Sequence, residues 1–492
     1  MQHTALWKTK AIKNKGCRGR IPRWFQGGAQ PAIAGVEGGL SPHSEARMRL
    51  FYLGKIHIFS ITKEGVEKVM LTKAPKGTHD VLPEQSYTWQ YVEKIIAEIC
   101  ENYGYKEIRT PVFEHTELFA RGMGETTDVV QKEMYTFTDK GNRSITLRPE
   151  GTAPSVRSYI ENSLYAMPQP VKMRYVTSCY RYERPQAGRL REFHQFGVEA
   201  LGTDKPSLDA EIVSLAMELL SRLGIKGLSL NINSIGCPKC RQAYNERLKE
   251  YIKPYVDTLC MVCVERYEKN PLRILDCKVD KRHEGIKNAP ILLNYICDSC
   301  RQHFELFKAY LDNMHIAYQI DVGIVRGLDY YTKTVFEIVS EDIGAQSTVC
   351  GGGRYDKLVE QLGGPSTPAI GFGLGLERLL LTMEAQGIQI PKPTPIKLFI
   401  AHIGEIADMK AQSLVYMLRK QGISADKDHM GKSVKAQMKY ANKLGVQYTM
   451  VLGQDEIDTG KAVLKEMESG QTQTIELKQL VNSFKDFGKL DS

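Results

Sequence analysis

No stretch of this 492-residue chain approaches the roughly eighteen consecutive apolar residues that a membrane-spanning helix needs. The most apolar run near the start, Leu50 to Ile61, is interrupted by Lys55 and His57, so no membrane partner is expected. Cysteine is also scarce. Eleven residues, unevenly placed, are too few for a secreted disulfide framework in a chain this long, which points to a reducing compartment and a cytoplasmic location. Phosphate-binding fingerprints are absent too: at Gly371-Phe372-Gly373-Leu374-Gly375 the G-x-G-x-x-G spacing fails at its third glycine, and no Gly-Lys-Ser/Thr follows. Residues 1–69 are poor in acid, with 4 Glu and no Asp against 12 Lys and Arg, and so carry +8 of the chain's net +9. The remainder is close to neutral, and any nucleic-acid contact there must rest on local patches. There is no internal repeat and no long low-complexity tract.

What is present suits a soluble globular protein of two or three domains: 42% hydrophobic, 25% charged, mean hydropathy −0.32. Residues 1–69 differ from the rest, being rich in Gly and Pro and without sustained periodicity. They read either as a transit-like segment or as untranslated leader read in frame before a true start at Met70, and the second is favoured because Lys63-Glu64-Gly65 can be encoded by a purine-rich ribosome-binding sequence. The segment is set aside from fold reasoning as a non-native leader or disordered extension.

From residue 70 the text becomes structural. Pro83 opens a helix whose apolar face is Val92, Ile95, Ile96, Ile99 and Tyr103, and Gly104 stops it. Alternating segments at Val171 to Tyr175, Phe193 to Leu201 and Leu228 to Ile232 predict strands, and Ile212 to Leu223 predicts a second helix. Residues 237–318 change character, with cysteine pairs and charged helical stretches, and read as an insertion within the domain they interrupt. Pro391, Pro393 and Pro395 make residues 391–396 a stiff linker. Beyond it, residues 397–492 alternate strand and helix as an α/β domain.

Four clusters could carry chemistry. Arg181 to Glu199 predicts a hairpin whose arginines suit phosphate oxygens, whose Phe193 could stack on a base, and whose Glu183, Gln195 and Glu199 suggest a site recognising several groups at once. In Arg326-Gly327-Leu328-Asp329-Tyr330-Tyr331, Gly327 is expected to make a tight turn that presents Arg326 and the tyrosines. Gly371 to Arg378 reads as a glycine-packed strand running into a helix, with Arg378 near its start. Glu150, after a proline-fixed turn and before Gly151 and Thr152, could receive hydrogen bonds from a ligand or could simply cap a helix.

Together these motifs resemble the class II aminoacyl-tRNA synthetases, and among them the histidyl-tRNA synthetase family. Motif 1 resembles Tyr103 to Pro111, motif 2 Arg181 to Glu199 and motif 3 Ala369 to Leu381, while Arg326 to Tyr331 and Gly351 to Asp356 resemble two histidine-specific signatures. The resemblance implies an α+β fold: an antiparallel-sheet catalytic domain over residues 70–390, with a helical insertion at 237–318, followed by an anticodon-binding domain. It implies ATP-dependent ligation of L-histidine to tRNA(His) through an adenylate, ATP acting with Mg2+, in a homodimer. By the same resemblance Arg181 holds the α-phosphate, Glu183 and Phe193 the adenine and Arg378 the γ-phosphate. Glu150, Gly151, Thr152, Gln195, Glu199, Tyr330 and Tyr331 line the histidine site together with Arg181, and Arg326 bridges the substrate carboxylate and the α-phosphate. Arg181 and Arg326 are the expected catalytic pair. A non-catalytic paralogue such as the regulatory subunit of ATP phosphoribosyltransferase would share this fold, and is expected to lack the C-terminal domain and to depart from the motifs.

Two further expectations concern the remaining motifs. Lys432, Lys435, Lys439 and Lys443 fall on one helical face that either contacts tRNA phosphates or is merely solvated. Cys237, Cys240, Cys260 and Cys263 are candidates for one structural zinc site, since 19 residues between Cys240 and Cys260 approach zinc-ribbon spacing, with Cys277, Cys297 and Cys300 in reserve.

Overall fold

The structure, a computed structural model, describes residues 72–124, 127–277, 279–340 and 348–487, and a hairpin pairing Phe59–Thr62 with Gly65–Lys68. The hairpin stands in a first unit ending at Lys73; all that follows concerns the second, which begins at Ala74. Apart from that hairpin, the two readings of residues 1–69 lie outside the described residues.

Helix α1, Pro83–Asn102, begins on a proline whose missing N–H would have had no partner in the first turn, and buries Val92, Ile96, Ile99 and Cys100. Helix α2, Thr152–Glu161, follows the strand Ser144–Leu147, which is the middle strand of a three-stranded sheet. Strands β1, Val171–Tyr180, and β2, Glu192–Leu201, form a ten-residue antiparallel ladder from Val171 opposite Leu201 to Tyr180 opposite Glu192. Helix α3, Pro206–Arg222, and strand β3, Leu228–Ser234, lead into the insertion.

The insertion carries helices α4, Pro238–Ile252, α5, Met261–Lys269, and α6, Asp298–Asn313, joined by short helical turns. The chain then returns through β4, Thr332–Ser340, β5, Thr348–Arg354, and β6, Ala369–Gly375, to helix α7, Leu376–Ala385. The eight-stranded sheet runs Gln319–Ile320, β3, β4, β5, β6, β2, β1, Lys106–Glu107, antiparallel except for its two short outer strands.

Register decides what each face of this sheet presents. One row across it reads Asn231, Glu337, Gly351, Gly373, Gly197, Tyr175, so three consecutive positions carry no side chain. The adjoining row on the same face reads Gly353, Gly371, Glu199, Met173. Alternation places Phe196, Val198, Phe336, Ile338, Phe372 and Leu374 on the other face, where they pack with α1, α3, α6 and α7 in the largest core. One face is thus an apolar floor for helices and the other is hollowed by glycine.

At the seam Asp209, fully buried on α3, pairs with Arg354 (2.6 Å) and receives Thr334 Oγ1 (2.6 Å), with His303 of α6 at 2.8 Å, so four elements meet on one carboxylate. The C-terminal part has its own core and a five-stranded sheet in the order Ala425–Lys427, β7 (Leu398–His402), β8 (Tyr448–Leu452), β9 (Lys461–Glu466), β10 (Thr472–Glu476), parallel across the first three. Helices α8, Glu405–Lys420, α9, Val434–Leu444, and α10, Leu480–Phe487, alternate with those strands. Among the described residues no helix is long and apolar enough to cross a membrane.

Candidate active site

The hollow face is lined by groups from four separate stretches. Glu150 ends the turn after Arg148 and Pro149, and its two oxygens receive the N–H groups of Thr152 and Ala153, both at 2.7 Å. It therefore caps α2, as the plainer of the two sequence readings expected, while each oxygen keeps a lone pair for another donor. Arg148 points elsewhere, clamping the carbonyls of Ser178, Thr110 and Pro111. Gly151 donates its N–H to Gln195 Oε1 (2.9 Å), and a Cβ on Gly151 would fall 2.2 Å from the Tyr175 ring.

Glu199, 1% exposed, accepts Tyr175 Oη at 3.0 Å and also the hydroxyl of Tyr355. Burial pushes its carboxyl up to about 8, against the lowering effect of the hydroxyls that bond to it. Tyr330 and Tyr331 sit side by side with ring centroids 4.7 Å apart, and Tyr330 meets Tyr355 at 5.5 Å. A cluster of buried carboxyls, phenols and an amide results. Cys179 lies behind Gln195 with its thiol pushed by burial up to about 12, which makes it useless as a nucleophile at neutral pH.

The arginines occupy the same face. Arg181 leaves the end of β1, donates Nε to the Pro149 carbonyl (2.9 Å) and has its guanidinium carbon 5.3 Å from the Phe193 ring centroid. Arg326 pairs with Glu337 and lies so close beneath Gly351 that a Cβ there would come within 2.5 Å of its guanidinium. Glu337 also accepts Thr348 Oγ1 (3.1 Å), and the Thr348 carbonyl accepts Arg378 Nη1 (2.8 Å). Arg326 and Arg378 are thereby linked through two residues of neighbouring strands. The loop from 181 to 191 reaches Arg378 as well, for a Cβ on Gly188 would lie 3.7 Å from Arg378 Nε. Burial, with Arg189 nearby, lowers the basicity of Arg378, a setting that favours anionic oxygens.

Arg181, Arg326 and Arg378, Glu150, Gly151, Thr152, Gln195, Glu199, Tyr330 and Tyr331 all fall on or around this face. Glu183 is ion-paired to Arg189 at 3.0 Å on the hairpin. The chain bends at Gly327, and the residue before it, Arg326, takes the left-handed backbone conformation (φ 63°). One expectation is corrected. The cysteines Cys237, Cys240, Cys260 and Cys263 do not form one site: the first pair faces Cys297 and Cys300, the second faces Cys277 and Asp280. The segment between Cys240 and Cys260 is largely helix α4, a rod of about 22 Å, and not the hairpin of a zinc ribbon.

Sequence reasoning assigned no role to Tyr175, Tyr355 or Glu337. Glu337 was visible as a lone carboxylate inside an apolar strand, and Tyr175 lies two residues from Met173 on the face the alternation defined. Glu377 was also passed over. It accepts the His194 N–H at 2.8 Å and meets His194 Nδ1 at 2.9 Å, fastening α7 to β2 beside Arg378.

An antiparallel sheet of this topology, crossed by an arginine hairpin and ended by a glycine strand that turns into an arginine-bearing helix, defines a class II aminoacyl-tRNA synthetase catalytic domain. A family model described as histidyl-tRNA synthetase matches residues 77–248 and 266–379, and one described as anticodon binding domain matches residues 397–487. The chain is 61% identical over 416 residues to histidine–tRNA ligase of Acetivibrio thermocellus, covering 85% of this chain and 100% of that one. It is 58% identical over 417 residues to the ligase of Caldanaerobacter subterraneus subsp. tengcongensis, with the same coverage. The crystal structure of apo S. aureus histidyl-tRNA synthetase superimposes with a TM-score of 0.74 at 43% identity, over 84% of this chain and 100% of that chain. The chain belongs to the histidyl-tRNA synthetase family.

Proposed function

We propose that the chain is a histidine–tRNA ligase that activates L-histidine with ATP on the hollow sheet face and passes it to tRNA(His). The observation that carries this reading is that Arg181, Arg326 and Arg378 lie around the same sheet face as a cluster of buried carboxyls and phenols. A neutral imidazole offers one donor and one acceptor, and Glu150 with Tyr330 and Tyr331 supplies partners for both. Gln195 and Glu199 hold the amino acid's polar end. Rejecting analogues that leave such buried groups unpaired gives discrimination of about 10⁴-fold without an editing site.

ATP enters with magnesium as part of the substrate. Glu183 and Phe193 take the adenine, Arg181 the α-phosphate and Arg378 the γ-phosphate. The histidine carboxylate oxygen attacks the α-phosphorus, the bond to the bridging oxygen breaks, and pyrophosphate leaves. Arg181 and Arg326 are already fixed by the Pro149 carbonyl and by Glu337, so they meet the growing charge without reorganisation. A terminal ribose hydroxyl of the tRNA then attacks the carbonyl carbon, and AMP departs. The enzyme needs no covalent nucleophile.

We assign residues 70–390 to catalysis, 391–396 to the linker and 397–492 to anticodon binding. The assembly is a cytoplasmic homodimer, and zinc is a structural ion apart from the reaction. The paralogue reading is set aside, since the curated relatives at 55–61% identity are ligases. Histidine-dependent exchange of pyrophosphate into ATP is the test. Exchange that depends on histidine, and that Arg326→Ala reduces at least about a hundredfold, is expected; none would be seen from a regulator.

A further inference from the structure

The seven cysteines of the insertion are unused by the reaction, yet they are not scattered. Cys237, Cys260 and Cys297 each stand immediately before a helix, α4, α5 and α6, and Cys240, Cys263 and Cys300 each lie in the first turn. In the first cluster Cys237 Sγ lies 3.5 Å from Cys240 Sγ and Cys240 Sγ lies 4.0 Å from Cys300 Sγ; Cys297 Sγ completes a set lying within 4.8 Å of one another. The Cys297 N–H donates to Cys240 Sγ at 3.1 Å. In the second, Cys260 Sγ is 3.7 Å from Cys277 Sγ and Cys277 Sγ is 3.6 Å from Asp280 Oδ2, with Cys263 again inside 4.8 Å. Four thiolates about 2.3 Å from a tetrahedral ion stand about 3.8 Å from one another.

The geometry points to two separate tetrahedral zinc sites in the insertion, Cys237/Cys240/Cys297/Cys300 and Cys260/Cys263/Cys277/Asp280, the second of which positions the histidine-binding loop. Thiolate-rich sets select zinc over magnesium or calcium, and an all-protein set of four leaves no coordination place for substrate. The first site ties the helix that opens the insertion to the helix that closes it, shutting a long loop at its neck. The second rigidifies residues 260–277, from which two contacts reach the loop 326–331. Asn270 Nδ2 donates to Asp329 Oδ1 (3.0 Å) and Arg273 Nη1 donates to the Gly327 carbonyl (2.8 Å), while within the segment Arg266 Nη1 holds the Arg273 carbonyl (3.0 Å). Arg273 is 5% exposed, so its pose depends on that frame. Arg326, Tyr330 and Tyr331 are braced from behind by a segment that the ion holds together.

The role of the second site rests on the histidine-ligase reading, whereas the sites themselves do not, and the experiment separates the two. Full-length protein, purified under reducing conditions without chelator, is analysed by plasma mass spectrometry and assayed for pyrophosphate exchange in the same preparation. Two zinc ions per chain are expected, falling to one in C297S/C300S and to one in C277S/D280N. C277S/D280N should raise KM for histidine about tenfold while leaving kcat for exchange within about threefold. Should a variant fail to fold, cobalt(II) introduced into the parent should give the thiolate-to-cobalt charge-transfer band. Active enzyme without zinc, or zinc unchanged in both variants, would overturn the metal proposal and leave the function intact. Zinc-loaded parent protein without exchange would overturn the function alone. Loss of one ion in C277S/D280N with an unchanged KM would overturn the positioning role.

Discussion

Glu199 is the residue whose chemistry the fold alters most usefully. With its carboxyl near 8 because of burial, it is protonated at pH 7 in the empty site. A bound ammonium group favours the ionised form and lowers that pKa, so at pH 7, between the pKa of the complex and about 8, histidine binding should expel a proton from Glu199. Titration calorimetry at pH 7 in buffers of different ionisation enthalpy should show release of about one proton, and Glu199→Gln should abolish it. KM for histidine should correspondingly fall as pH rises towards 8, and that slope should flatten in the variant. The groups proposed for recognition were visible in the sequence because polar residues stood inside apolar patterns, as with Gln195 and Glu199 in β2. Tyr175 and Glu337 were not assigned because their roles come from strand register, and register is a property of pairing that one strand alone does not reveal.

At the level of elements, the stripe of glycine across β5, β6 and β2 makes adjacent substitutions behave differently. A Cβ on Gly351 would strike the tip of the Arg326 side chain, which can move, whereas one on Gly352 would lie 2.3 Å from the Gly371 carbonyl oxygen, which cannot. Gly351→Ala should therefore fold with little change in melting temperature and lose about a hundredfold in kcat/KM, the cost of misplacing a catalytic group by about an ångström. Gly352→Ala should instead lower stability by about 1–3 kcal/mol, read from denaturant unfolding. Helix α9 offers a second test. Lys435, Lys439 and Lys443 on it and Lys432 just before it are all exposed, and changing the four to Glu should weaken tRNA charging while leaving pyrophosphate exchange as it was. Helices such as α1 and α9 were legible because their apolar spacing is local. The cysteine partners were not, since Cys237 and Cys300 meet only after some sixty residues have folded back through α6.

For the molecule as a whole, the small three-stranded sheet that follows the region resembling motif 1 leaves apolar side chains uncovered. Phe113 is 58% exposed, Phe137 48% and Val112 41%, gathered around the small three-stranded sheet. Such a patch suits self-association. Light scattering should give a mass about twice the 55.5 kDa of the chain, and Phe113→Asp with Phe137→Asp should halve it. The division into a catalytic and a C-terminal part was legible because Pro391, Pro393 and Pro395 mark a change of text, whereas the seam at Asp209, where α3, β4, β5 and α6 meet, left no trace in any single segment.

The glycine rows also tie activity to correct strand alignment. A slip of one residue between β5 and β6 would turn Phe372 or Leu374 into the cavity and carry the glycines to the oily side, so a misaligned chain could hold no ligand at all. A chain misaligned by one residue at that seam would thus be blocked by its own phenylalanine, and not merely slowed.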